Sequence, residues 1–285
     1  RAGLNNDGGH LGARRLDVSG GDLGNRKGEI KAAEARIAAG LLNNDAGLMQ
    51  LAAPVVLSAQ DFSNRAGIFQ HSDEADTHIK VKGQLDNSEG TLASNAKRLT
   101  LDAGQLVNTN GHITHAGDGG LLVNAGAFSG VGGETATAGA ATLRLGDGDH
   151  REATLSAARI DLAAPSFDNR GGKVIAGGNQ ANRIDVAGLF DNGNGGTLAS
   201  NADLDIRAGA LRNSEGGVLE VGDGRLDIQA QTLRGENATI ASHGALSLKG
   251  ETTDLTGAAT RAGAITITTG RLTTAKGSLV ASGGK

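Results

Sequence analysis

Leu85-Asp86-Asn87-Ser88-Glu89-Gly90-Thr91-Leu92 is followed, 21 residues on, by Leu106-Val107-Asn108-Thr109-Asn110-Gly111-His112-Ile113. Both stretches place an apolar residue, Asn two positions later, Gly five later and a second apolar residue seven later. Toward the amino terminus the same pattern is carried by Leu4, Asn6, Gly9 and Leu11, then by Leu23, Asn25, Gly28 and Ile30. Leu42, Asn44, Gly47 and Met49 repeat it, as do Phe62, Asn64, Gly67 and Phe69. Toward the carboxy terminus it resumes at Phe167, Asn169, Gly172 and Val174. Phe190, Asn192, Gly196 and Leu198 carry one extra residue, and Leu211, Asn213, Gly216 and Val218 read as regular again. Weaker copies open at Leu233 and Leu272, with Gly235 and Thr274 in the Asn place. Starts are 19, 19, 20, 23 and 21 residues apart, and later 23, 21 and 22. Self-similarity at so steady a period is the signature of a repeat architecture.

Between the copies a second element alternates apolar with polar: Leu99-Thr100-Leu101-Asp102-Ala103, Leu204-Asp205-Ile206, Leu226-Asp227-Ile228, Leu246-Ser247-Leu248 and Ile265-Thr266-Ile267. Period two belongs to a strand with one buried face. The intervening Gly and Asn imply tight turns at positive φ. Two or three short strands cannot bury their own apolar face. Stacking on the next copy, at about 4.8 Å, does so and sets Leu106 over Leu85 and Asn108 over Asn87. The predicted fold is all-β, a right-handed parallel β-helix (solenoid) of about 13–14 coils with roughly 19–23 residues per coil. Residues 1–285 read as a single β-helix repeat segment with an irregular interruption at about 125–160, and as a fragment of a longer chain because both ends fall in mid-pattern.

An Asn two places after an inward residue also points inward. Stacked on its own kind, it can donate to one neighbour and accept from the other. Asn6, Asn25, Asn44, Asn64, Asn87, Asn108, Asn169, Asn192 and Asn213 are therefore a candidate structural ladder. The competing role for the same column is tolerance of left-handed turn geometry.

Composition agrees with a thin core. The chain has 47 Gly, 2 Pro, five Phe and one Met, and no Cys, Trp or Tyr, whereas globular cores draw much of their buried area from aromatics. Gly without a Gly-X-Y period or abundant Pro excludes collagen. The formal net charge of −4 carries no basic stripe, so nucleic acid is not an expected partner. No apolar run reaches about 18 residues, so no membrane span is expected. The absence of Cys suits a chain that crosses an oxidising compartment unfolded.

The copies Leu85-Asp-Asn-Ser-Glu-Gly-Thr-Leu92 and Phe167-Asp-Asn-Arg-Gly-Gly-Lys-Val174 resemble filamentous-haemagglutinin repeats. The resemblance covers nearly the whole chain and weakens over about 125–160 and after 250. It implies the shaft of a large exoprotein of two-partner secretion, exported through an outer-membrane partner transporter to the bacterial cell surface. Its implied role is to extend a binding region of a filamentous adhesin toward a receptor or glycan on a host or neighbouring cell. The alternative role is the shaft of a contact-dependent growth inhibition protein that delivers a toxin. End-to-end self-association is also expected, through unpaired strand edges.

Gly146-Asp147-Gly148-Asp149-His150 resembles calcium-binding glycine/aspartate repeats, but it occurs once and those repeats work in tandem. His71, Asp73, Glu74, Asp76 and His78 have a metal-binding composition without standard spacing. His112 and His115, three apart on a strand, face opposite sides. Leu16-Asp17-Val18 is an integrin-like tripeptide with its apolar residues at core positions. No nucleophile–base pair, cofactor motif or metal set emerges, and without Trp or Tyr a sugar-stacking groove is unexpected, so the chain is read as no enzyme. The interrupted region offers one candidate surface-recognition loop, Asp147, Asp149, His150, Arg151 and Glu152, against the alternative of a decayed coil.

Overall fold

The computed structural model describes residues 3–52 and 55–283. Among them there is no helix, and the strands pair in parallel, each with its counterpart in the next coil. The fold is an all-β parallel solenoid of about 14 turns. The chain divides into two compact units, Arg1–Gly146 and Asp147–Lys285.

One coil of the first unit shows how sequence becomes a turn of the solenoid. The strand Arg98–Val107 points Leu99 and Leu101 inward. Continued alternation would bury Gln105, but Leu106 is the next inward side chain, so the strand slips by one residue around Gly104. A Cβ there would stand 2.5 Å from the Lys82 carbonyl oxygen of the preceding coil, so glycine is the residue that lets the backbones approach. A four-residue turn leads into His112–His115, which points Ile113 and His115 inward. Each coil is thus three-sided, with one or two apolar side chains per side.

Parallel register stacks like on like. In the first unit Leu23, Leu42, Phe62, Leu85, Leu106 and Phe128 form one column. Ile30, Met49, Phe69, Leu92 and Ile113 form another. In the second unit Phe167, Phe190, Leu211 and Leu233 continue into Thr253, a copy that the sequence pattern conceals because its inward residue is not apolar. Leu162, Ile184, Ile206, Ile228 and Leu248 stack beside them. Nearly all these side chains are fully buried, and burial of each aliphatic one is worth about 1.5–3 kcal/mol.

The turns differ from the sequence expectation in two respects. In Asn44-Asp45-Ala46-Gly47 the Gly47 N–H donates to the Asn44 carbonyl (2.9 Å), and the left-handed residue is Ala46, at φ 50°. The same third position is left-handed at Lys27, Ala66, Glu89 and Asn110. The motif glycine answers another need: a Cβ on Gly47, Gly67, Gly90 or Gly111 would lie 2.1 Å from the Asn carbonyl oxygen of the coil before. Secondly, the copy opening at Leu211 is not regular. Leu219, not Val218, stacks on Leu198, and the turn Asn213–Gly217 carries the same extra residue as Asn192–Gly196.

Leu101 lies between Ile79 and Val123 and is buried, whereas Thr100 faces outward between His78 and Leu122. Leu101→Asp is expected to cost about 3 kcal/mol or more, against less than about 0.5 kcal/mol for Thr100→Asp. Thermal denaturation of the pair checks the register, and equal shifts in Tm would contradict it.

Candidate functional site

The side chains that bind coil to coil begin with the nine asparagines, all inside the turns and, apart from Asn6, essentially inaccessible. In the first unit each amide donates forward. Asn6 Nδ2 reaches Asn25 Oδ1 (2.7 Å), Asn25 reaches Asn44 (2.7 Å), Asn44 reaches Asn64 (2.7 Å), Asn64 reaches Asn87 (2.7 Å) and Asn87 reaches Asn108 (2.8 Å). In the second unit Asn169 donates to Asn192 (2.6 Å) and Asn192 to Asn213 (2.7 Å). The same Nδ2 also meets backbone carbonyls, as Asn87 does at Gly90 (3.3 Å) and His112 (3.1 Å). One amide therefore closes its own turn and stitches it to the next coil. None of the nine has a left-handed φ, so that alternative role for the column falls to the residue two places on.

His150 occupies the Asn place immediately before Asn169. Its Nδ1 lies 2.7 Å from Asn169 Oδ1 and its ring stacks on Phe167, centroids 5.6 Å apart. Asn169 Oδ1 accepts, because its Nδ2 is committed to Asn192; Nδ1 of His150 must therefore carry the proton. Nε2 is then a bare lone pair, buried without a partner. Burial pushes the His150 pKa down to about 4, against the smaller upward pulls of the Asn169 bond and the Asp149 charge.

Of the five residues expected on a surface loop, His150 is the one that lies inside, while Asp147, Arg151 and Glu152 are exposed. Gly146 to Asp149 lie in the strand Ala140–Asp149, and His150 is an interior group at 2% exposure. Asp147 bonds the Ser166 hydroxyl (2.7 Å), and Glu152 takes the left-handed turn position at φ 57°. Asp149 and Arg151 belong to a column of charge on the outer edge of the turns. There Asp149, Asp168 and Asp191 stand in register, which without cations would set like charges over one another. Arg151 grips Asp149 (2.7 Å) and lies 3.8 Å from Asp168; Arg170 grips Asp168 (2.6 Å) and lies 3.8 Å from Asp191; Arg212 lies 3.6 Å from Asp191. The Arg151 guanidinium holds the Asp149 carboxyl below its usual range.

A second interior polar column, which the sequence reading missed, ends the four-residue strands of the first unit. His71, Ser94, His115 and Thr137 stack in register and are all buried. His71 Nδ1 lies 3.1 Å from Ser94 Oγ. His115 donates from Nε2 to the Ala96 carbonyl (2.6 Å) and takes the Thr137 hydroxyl at Nδ1 (2.8 Å), and burial lowers its pKa. The signal was present, since each of the four sits two places after an inward residue. His112 faces out onto Glu134, opposite to His115. His71 and His78 likewise part, His71 inward and His78 outward onto Asp102 (2.5 Å). Among the described residues no group of three or more acids or histidines is placed to hold a metal ion, and no helix is long and apolar enough to cross a membrane.

The haemagglutinin-repeat family model matches residues 118–194, 181–250 and 221–285, together more than half of the sequence. The chain belongs to the haemagglutinin-repeat family. The matched stretch includes 125–160 and the residues after 250, where the Asn–Gly pattern is weak but inward strand residues such as Leu143, Leu155, Leu246 and Leu248 persist. Among curated proteins, Toxin CdiA of Yersinia pestis is 27% identical over 349 aligned positions, covering 95% of this haemagglutinin-repeat chain and 10% of that protein. The chain thus spans about a tenth of the length of this relative. No solved structure matches it.

Asn192→Ala would leave the buried Asn213 Oδ1 without its donor and Asn169 Nδ2 without its side-chain acceptor inside the second unit. A loss of about 2–4 kcal/mol is expected. Asn194→Ala, at an exposed left-handed turn position two residues away, is expected to cost less than about 1 kcal/mol. Urea unfolding of the two variants measures the difference.

Proposed function

We propose that these coils are a structural shaft of a secreted, cell-surface exoprotein, holding a binding region away from the bacterium. The observation that carries this reading is the ladder. Along each run of asparagines, a coil offers the next the same apolar columns and the same amide, so the design generates length from equivalent interfaces. Outward polar groups are largely engaged with neighbouring coils, as in His10–Glu29, His78–Asp102 and His112–Glu134, which supports a passive role for the faces. On this reading the chain reaches the surface through an outer-membrane partner transporter and has no enzymatic activity. Release of sugars from a polysaccharide panel would contradict the latter.

The leading role is in a filamentous adhesin that meets a receptor or glycan through other regions. The second role, the shaft of a contact-dependent toxin-delivery protein, is favoured by the likeness to Toxin CdiA. Attachment to host cells and growth inhibition of neighbouring bacteria that lack immunity are the assays that divide the two.

A shaft should respond to its number of coils and not to its outward side chains. Deleting residues 85–127 sets Phe128 directly after Gln84, at the place in the repeat that Leu85 holds. In the exported protein this deletion is expected to leave folding intact and to reduce the surface activity, while joint replacement of Asp147, Arg151 and Glu152 by Ser leaves that activity unchanged. Full activity after the deletion, or its loss with the surface triple variant, would overturn the reading.

A further inference from the structure

We propose that His150 is an acid-responsive joint in the second unit: its Nε2 can take a proton only where the coil opens to water, so mild acidification loosens coils that asparagine rungs hold regardless of pH. The argument starts from donor and acceptor bookkeeping. Nδ1–H is spent on Asn169 Oδ1, and Nε2 lies buried with nothing to accept a proton placed there. An imidazolium in this position is a buried cation with an unanswered N–H, stacked against Phe167. Asparagine at the same place of other coils has no proton to gain.

The charged groups around the ring do not rescue the cation. On its own strand and turn stand Asp149, Arg151 and Glu152, and the next coil presents Asp168 and Arg170 beside Phe167 and Asn169. Asp149 favours the cation, but its carboxylate is gripped by Arg151 and Asp168 by Arg170. Desolvation is the largest influence and depresses the pKa from 6.5 to about 4.

The sign follows from linkage. The unfolded chain takes up the proton near 6.5 and the folded chain only near 4. His150 therefore leaves stability undiminished above about 6.5, withdraws it as pH falls from there to about 4, and adds no further loss below that. Across the whole window the folded-to-unfolded ratio falls by about 300-fold, and between pH 7 and 4.5 by about 60-fold. Carboxylates and His115 add their own pH dependence, and His115 belongs to the first unit.

His150→Asn in the full chain isolates the effect, because it restores the rung that the other coils use and leaves His115 and the acids in place. Amide protection factors at Asn169 and Glu152, whose N–H groups donate to Asp191 and Arg170 carbonyls, would be compared at pH 7 and 4.5. The wild type is expected to lose about 60-fold more protection than the variant, which should be at least as protected at pH 7. Equal losses would overturn the proposal. Should the variant fail to fold, NMR titration of the wild-type ring decides: a neutral Nδ1–H tautomer persisting below pH 5 supports it, and a ring that titrates near 6.5 refutes it.

Discussion

Paired parallel strands lie about 4.8 Å apart, and that spacing decides which side chains this protein can place inside. Every inward residue meets its counterpart in the coils on either side, so a side chain is acceptable only if it packs on copies of itself or near relatives. Leu, Ile, Val and occasional Phe do so, which accounts for an interior without Trp or Tyr. Polar residues face a stricter test. A carboxamide carries both a donor and an acceptor and can bond to itself indefinitely. A carboxylate cannot, and a hydroxyl has one proton to give. The asparagines are therefore the polar residues that recur unbroken over several coils, while the interior column at the strand ends alternates His71, Ser94, His115 and Thr137.

The outer edge of the turns obeys the same rule under different dielectric conditions. Three aspartates in register are tolerated because Arg151, Arg170 and Arg212 interleave with them, each spanning or approaching two coils. The exposed pairs individually contribute little, while Asp191, flanked by Arg170 and Arg212, is buried. Their role here is to remove a repulsion that the stacking itself creates.

The sequence disclosed this architecture wherever the stack demanded one residue type. The Leu–Asn–Gly spacing located the apolar columns, the inward Asn and the order of the coils, because each of those positions is over-determined by its neighbours. It failed where the demand is looser. Gly148 stands over Phe167 and Thr253 follows Leu233, so two coils have no apolar mark at the expected place. Glycine was assigned to the wrong task, since clearance from a neighbouring coil leaves the same letter in the sequence as a positive φ. His150 was read as surface because its neighbours Asp149, Arg151 and Glu152 are charged, although it sits two places after the inward Gly148 and shares its parity.

The asparagine ladder also has a direction. In both units each amide nitrogen points to the coil that follows in the sequence and each amide oxygen to the coil before. The two extremities are consequently unequal. At the trailing extremity the spare nitrogen needs only acceptors, and ordinary backbone supplies them: Asn108 ends on the Gly111 and Glu134 carbonyls, and Asn213 on those of Gly217 and Thr239. At the leading extremity an oxygen needs a donor, and an inward side chain must provide it. A run of asparagines can therefore terminate at any coil without special provision, whereas its initiation calls for a particular residue. In the second unit that initiating residue is a histidine.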